Sequence, residues 1–343
     1  MRSSTPKVLH RIGGRSLLGH ALVAAASLRP EHLVVVVRHE RDRVAEHVTR
    51  IAPDVVIADQ DDVKGTGRAV QCGLEALPAD PSGTVVVTYG DVPLLTGILL
   101  DQLVEAHETA FAAVTVLTAR VADPTGYGRI VRDETGAIQG IVEHKDATPE
   151  QRGINEINSG IYAFDAKVLA DALSRITTDN SQGELYLTDV LAVARGDGRS
   201  VFAHATDDVW QVEGVNDRVQ LAAMGRELNR RVLTAWMRLG VTVVDPATTW
   251  VDAGVVLDQD VTVLPDTHLQ GSCRVATGAT LGPGTTLVDC EVGPGATVVS
   301  SYGNGAVIGA GAAVGPFSHL RPGTTVADGG TVRSFVETEG ACG

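Results

Sequence analysis

The sequence predicts two units of different grammar. An α/β domain with a mostly parallel sheet comes first, and a parallel β-helix built from six-residue repeats follows. Three observations carry this reading. Apolar strand-like runs alternate with helical stretches over the first part of the chain. Aliphatic residues recur at every sixth position over the last part. A single long amphipathic segment lies between the two patterns.

The elements follow in order. The chain opens with Pro6 and Lys7 and an amphipathic run of Val8, Leu9, Ile12, Leu17, Leu18, Ala21 and Leu22. A helix this early in an α/β chain normally follows a strand, so the expectation is that the sequence begins inside its domain. HLVVVV (His32 to Val37) and TVVVTYGD (Thr84 to Asp91) are continuous β-branched runs, the pattern of strands covered on both faces. AAVTVLTARV (Ala112 to Val121) reads as another strand, and RDRVAEHVTRI and GRAVQCGLEAL show helical spacing. Such alternation means a parallel sheet with helices on both sides, with ligands beyond the carboxyl ends of the strands. Functional residues should therefore follow strands.

The stretch from Asn216 to Gly240 carries Val219, Leu221, Leu228, Val232, Leu233 and Trp236 at helical spacing, and is long enough for one connecting helix. Beyond it Val251, Leu257, Val263, Leu269, Val275, Leu281 and Leu287 fall six residues apart. After a short slip the interval resumes at Val292 and Val298, and again at Ile308, Val314, Leu320, Val326 and Val332. A small residue precedes each of the first set by two, from Thr249 to Thr285. In a parallel β-helix three such hexads make one triangular coil with the aliphatic side chain inside. The boundaries read from these patterns are 1–215, 216–240 and 241–343.

Composition narrows the function. The chain has 343 residues, 44% of them hydrophobic, and no apolar run near the roughly 20 residues that span a bilayer. Nothing at the N-terminus reads as a signal peptide, so the expected location is cytoplasmic. Cys72, Cys273, Cys290 and Cys342 lie far apart without a CxxC pair, which argues against a zinc site or a disulfide framework. A net charge of −14 argues against a duplex nucleic-acid partner. An acidic protein that handles anionic substrates must gather cations locally or use a metal.

Several residues could carry chemistry. Asp91 follows a strand after Tyr89 and Gly90, where a carboxylate can hold a hard divalent cation beside phosphates or simply cap a turn. Gly65, Thr66 and Gly67 open a helix whose backbone N–H groups could meet an anion or a base edge, although a plain loop is the alternative. No Lys-Ser/Thr follows these glycines, so this is not a Walker A loop. Gly128 in PTGYGRI allows close ligand approach or serves a turn. Glu143 lies at a strand end, Asn158 before another strand, and Asn216 at the head of the long helix, where N-cap is its simplest role. Lys7 alone reads as a solvated surface lysine.

Taken together, Lys7, KGTGRA, TYGD, GYGRI, VEHKDAT, NSGIY, YLTDV and EGVNDR, followed by the hexapeptide repeats, resemble the bifunctional bacterial GlmU family over essentially the whole chain. That family combines an N-acetylglucosamine-1-phosphate uridyltransferase with a glucosamine-1-phosphate acetyltransferase. The resemblance implies a Rossmann-like nucleotidyltransferase domain lacking its first strand, then a truncated left-handed β-helix. It implies that Lys7 contacts nucleotide phosphates and that Gln60, Gly65 and Thr66 hold uracil. Tyr89, Gly90 and Asp91 would line the nucleotide and sugar site, Asp91 and Asn216 would ligate Mg²⁺, and Gly128, Glu143 and Asn158 would bind the N-acetylglucosamine part. No protein nucleophile is implied. The partners would be UTP and N-acetylglucosamine-1-phosphate, within a homotrimer.

The sequence also departs from the family. Members carry a buried strand and an L-A-A-G-x-G-T-R-M loop, and this sequence starts at what corresponds to the final Met. Arg321 occupies a phosphate-binding arginine position of the acetyl-acceptor site, but Glu339 stands where the family has a substrate-binding lysine. The acetyltransferase histidine would lie beyond Gly343. The expectation is a chain that binds UTP poorly and transfers no acetyl group. A non-catalytic remnant, or a nucleotidyltransferase for another sugar phosphate, are the alternatives.

Overall fold

In the computed structural model, which describes residues 1–77, 82–338 and 341–342, the chain divides into two units. One comprises Met1–His10 and Ser16–Asp217, the other Arg11–Arg15 and Arg218–Gly343.

The first unit alternates helices and strands: α1 (Leu17–Ser27), β1 (Val34–Val37), α2 (Arg41–Ile51), β2 (Val56–Asp59), α3 (Thr66–Glu75), β3 (Thr84–Val87) and α4 (Gly97–Thr109). There follow β4 (Val114–Arg120), β5 (Gly128–Arg132), β6 (Ile138–Val142), α5 (Pro149–Arg152), β7 (Glu156–Asp165), α6 (Ala166–Leu173), α7 (Asp189–Gly196) and β8 (Val201–Thr206). Local chemistry sets the helix starts. Ser16 accepts from the Gly19 N–H at 2.9 Å at α1, Thr96 from Leu99 at 3.3 Å at α4, and Asp165 from Lys167 and Val168 at α6. Each satisfies a donor the helix cannot.

The sheet is more mixed than the alternation predicts. β1 pairs with β2 in parallel, and β8 with β4 in parallel. The ten-residue β7, however, runs antiparallel to β3, β4 and β5. A two-residue step on β4, Val116 to Thr118, faces the four-residue step from Tyr162 to Asn158, which forces a bulge into β7. Side chains satisfy it: Ser159 Oγ donates to the Leu117 carbonyl at 2.6 Å and accepts from the Ile161 N–H at 3.1 Å. Asn158 therefore lies inside a strand, not ahead of one.

The Val-rich strands also differ from expectation. Val34, Val35 and Val36, and all of Thr84–Val87, are only half-buried. Among the described residues β1 pairs only with β2, and β3 only with β7, so each keeps one open edge and incomplete cover.

The second unit opens with α8 (Arg218–Arg238) and continues as short strands. Each pairs in parallel with the third strand onward: Thr242–Val243 with Thr262–Val263, Trp250–Val251 with His268–Gln270, Val256–Leu257 with Arg274–Val275. Three six-stranded parallel sheets result, the faces of a β-helix. All seven aliphatics from Val251 to Leu287 are at most 3% exposed, and the small residues from Thr249 to Thr285 equally so. The slip in the hexad register is visible as Thr280 opposite Thr297, a 17-residue coil, followed by Thr297 opposite Ala313. The core aliphatics stay inside through it.

Candidate active site

Side chains from distant parts of the first unit converge on the residues after β3. Lys7 starts a single 3-10 turn, Lys7–Leu9, closed by the Leu9 N–H on the Pro6 carbonyl at 3.0 Å. Its ammonium meets Asp91 Oδ2 at 2.5 Å and donates to Asn216 Oδ1 at 3.0 Å. The Val215 N–H donates to the Asp91 carbonyl at 3.0 Å, which ties the 214–216 segment to the end of the strand loop. Three residues 209 positions apart in sequence at their extremes thus converge on one point. Gly90 sits where a Cβ would come within 3.0 Å of Leu18 Cδ1, so the turn before Asp91 packs directly on α1.

Tyr89 joins this point to a second group. Its ring lies over Gly160 in the β7 bulge, where a Cβ would fall 2.0 Å from Tyr89 Cε2. Gly160, at φ +77°, permits both the bulge and the ring. Burial raises the Tyr89 phenol to about 12, and the charges of Glu143 and Asp91 push the same way. Tyr89 thus feels carboxylates on both sides. Asn158 Oδ1 accepts from the Gly160 N–H and from the Tyr162 hydroxyl, each at 2.9 Å. Its amide nitrogen, 3.5 Å from where a Gly128 Cβ would stand, is the donor on offer. Desolvation raises the Glu143 carboxyl, with Asp146 and Asp189 adding to it. Tyr162, fully buried, is raised by burial and then by Tyr89 and Glu143. The Lys7–Asp91 ion pair and a polar, partly desolvated group share one tyrosine.

The Gln60 group is organised differently. Gln60 Nε2 donates to the carbonyls of Val63 at 3.0 Å and Gly65 at 3.1 Å, holding the loop before α3. Gly65, at φ +119°, lies against Leu185, whose carbonyl would be 2.1 Å from an added Cβ. The Leu185 N–H donates to Lys64, Gly67 N–H to Leu185, and Leu187 N–H to Thr66 Oγ1. The Gly67 N–H, open to an anion in the sequence reading, is therefore spent on the protein itself. Arg321 lies in the other unit, where its Nε donates to Glu337 at 2.8 Å and, with His319, holds that carboxyl below the usual range. Glu339 lies outside the described residues.

A sequence model of the Nucleotidyl transferase family matches residues 2–258. The chain is 62% identical over 341 residues to the bifunctional protein GlmU of Pseudarthrobacter chlorophenolicus, covering 99% of this chain and 69% of that protein. The chain belongs to the bifunctional GlmU family. Likeness to the same protein of Paenarthrobacter aurescens is 60% over 341 residues, and of Mycolicibacterium vanbaalenii 54% over 345, the latter covering 70% of the relative. The α/β unit is thus a nucleotidyltransferase domain, and the chain is that of a nucleotidyltransferase enzyme. Among the described residues no helix is long and apolar enough to cross a membrane. Sequence reasoning assigned no role to Gly160, although NSGIY contains it, or to Leu185 and Leu187, just before and within YLTDV. A glycine inside an apolar run, NSGIYAF, is the signal that marks such a bulge.

Proposed function

We infer that the first unit transfers a uridylyl group from UTP to N-acetylglucosamine-1-phosphate, giving UDP-N-acetylglucosamine and pyrophosphate. A phosphate oxygen of the sugar phosphate attacks the α-phosphorus in line, the bond from that phosphorus to the bridging oxygen breaks, and pyrophosphate leaves. Such transfer requires positioning and charge neutralisation, with no protein nucleophile. The observation that carries this reading is the convergence of Lys7, Asp91 and Asn216, joined through Tyr89 to Asn158 and Glu143.

Each group has a part. Asp91 and Asn216 offer a carboxylate and a carbonyl oxygen to one cation, a donor set that suits Mg²⁺. Among the described residues no group of three or more His, Cys, Asp or Glu gathers, which fits an ion that takes its other ligands from phosphates and water. A Mg²⁺ held by Asp91 and Asn216 would supply charge neutralisation to the reacting phosphates. Lys7 supplies a second positive charge for them. The Asn158 amide and the Glu143 carboxylate face the sugar, and Gly128, paired with Asn158 across the strands, puts no side chain beside that amide. Gln60, Gly65 and Thr66 hold uracil, with Gln60 Oε1 the acceptor left once its amide nitrogen is committed. The residues 1–215, 216–240 and 241–343 form the catalytic domain, the connecting helix and a partial β-helix, in a cytoplasmic homotrimer.

The test is product formation from a panel of nucleoside triphosphates and sugar phosphates. It is run on the chain as given and on the chain preceded by the L-A-A-G-x-G-T-R segment. Mg²⁺-dependent UDP-N-acetylglucosamine from UTP is the expected outcome for the extended chain, with the chain as given binding UTP poorly. Equal or faster turnover of another nucleotide or sugar phosphate would replace the assigned substrates.

A further inference from the structure

The place where two oxygen donors meet a cation is filled, in this fold, by a lysine. We propose that Lys7 is a place-holder: its ammonium sits between Asp91 and Asn216 where the metal is to bind, and a metal ion must displace it. This rests on the reading of Asp91 and Asn216 as the metal pair.

The geometry is specific. One Nζ lies 2.5 Å from Asp91 Oδ2 and 3.0 Å from Asn216 Oδ1, so the two oxygens that a divalent ion would need are both engaged by one ammonium. While the ammonium stays it competes with a metal for these two oxygens, and its charge repels a second cation at that point. Lysine suits the task. Its charge is compact and its four-carbon stem swings freely about a backbone anchored in the Lys7–Leu9 turn. The Lys7 side chain is 39% exposed and Asp91 19%, so the ammonium has solvent to retreat into without opening the core.

The consequence is a coupling. A metal ion arriving alone must break an ion pair and leave the lysine charge beside its own. A metal ion arriving with phosphates brings a new partner for the displaced ammonium. Metal binding is therefore weak by itself and strengthened by a polyphosphate. Coupling of this kind ordinarily amounts to about 5- to 150-fold.

The experiment measures binding of Mn²⁺ alone to the full chain, by calorimetry and by the free-ion electron paramagnetic resonance signal. Wild type, Lys7→Met, Lys7→Arg and Asp91→Asn are compared after their melting temperatures show that each is folded. The proposal expects Lys7→Met to bind Mn²⁺ roughly tenfold or more tightly than wild type. Lys7→Arg, which keeps the charge, should not gain affinity, and Asp91→Asn should lose binding. Unchanged or weaker binding in Lys7→Met, with binding lost in Asp91→Asn, overturns the place-holder role and leaves the metal pair standing. Binding that survives Asp91→Asn, or no binding by any variant at millimolar Mn²⁺, overturns the metal pair itself.

Discussion

Replacing Gly160 by alanine tests how the β7 bulge holds Tyr89. Two costs can be separated. The backbone at φ +77° disfavours any side chain, by about 1 kcal/mol for alanine. The new methyl would also lie 2.0 Å from Tyr89 Cε2, 2.8 Å from Cζ and 2.9 Å from the hydroxyl, so the ring must move by more than an ångström. Overpacking of this kind adds about 1–3 kcal/mol. Gly136 is the control, because it has φ +85° and nothing within 4 Å of an added Cβ. Gly136→Ala should therefore cost about 1 kcal/mol and Gly160→Ala about 2–4 kcal/mol. For a unit of this size that corresponds to a melting temperature lower by roughly 5–10 °C for Gly160→Ala, followed by near-ultraviolet circular dichroism. Adding Tyr89→Ala to Gly160→Ala should return the steric part, a coupling that a double-mutant cycle reads directly. If Gly160→Ala costs no more than Gly136→Ala, or if removing Tyr89 gives no relief, the ring does not depend on that glycine.

Other outcomes follow from the same geometry. Leu281→Ala, in a fully buried hexad position, should cost about 2–5 kcal/mol in denaturant unfolding of the second unit. An effect below half a kcal/mol would mean that the coil collapses around the gap. Burial raises the Glu143 carboxyl, so its contribution to stability falls as pH rises through the interval between its ordinary and raised values. Glu143→Gln should accordingly stabilise the protein near neutral pH, with little effect in acid where Glu143 is already protonated, while weakening sugar-phosphate binding. Stability curves for the two proteins that are parallel between pH 4 and 8 would contradict this. Glu227 is held down to about 2, first by the Arg230 hydrogen bond and also by Arg231, against an ordinary 4.5. Its stabilisation is present above 4.5 and lost as pH falls toward 2. The shift corresponds to at most about 3–4 kcal/mol, reduced to about 1–2 kcal/mol because Arg230 is 64% exposed, and Glu227→Gln melting at pH 7 checks it.

The β-helix was legible residue by residue because a repeat writes its geometry into the spacing. Every hexad aliphatic from Val251 to Val332 is buried, even across the shortened coils. Asp91 was legible too, as a carboxylate just past a strand. The mixed sheet was not. NSGIYAF has the apolar character of a strand in either direction, and nothing in its composition says that β7 runs against its neighbours. Nor could spacing show that Lys7, read alone as a surface lysine, meets Asp91 and Asn216. That contact depends on three segments brought together only by the tertiary fold. The half-buried β1 and β3 belong to the same class, since an apolar β-branched run marks a strand but not how far its faces are covered or which edges find a partner.

The most direct measurement is the initial rate of UDP-N-acetylglucosamine formation by Asp91→Ala beside the otherwise identical active preparation, at saturating UTP and Mg²⁺. Asp91 supplies a carboxylate at the point where Lys7 and Asn216 converge. Losing the charge stabilisation it organises should slow turnover by about a thousandfold or more, with the fold unchanged by circular dichroism. Turnover within a few fold of the unsubstituted protein would contradict the assignment of Asp91, and with it the placing of phosphoryl chemistry at this site.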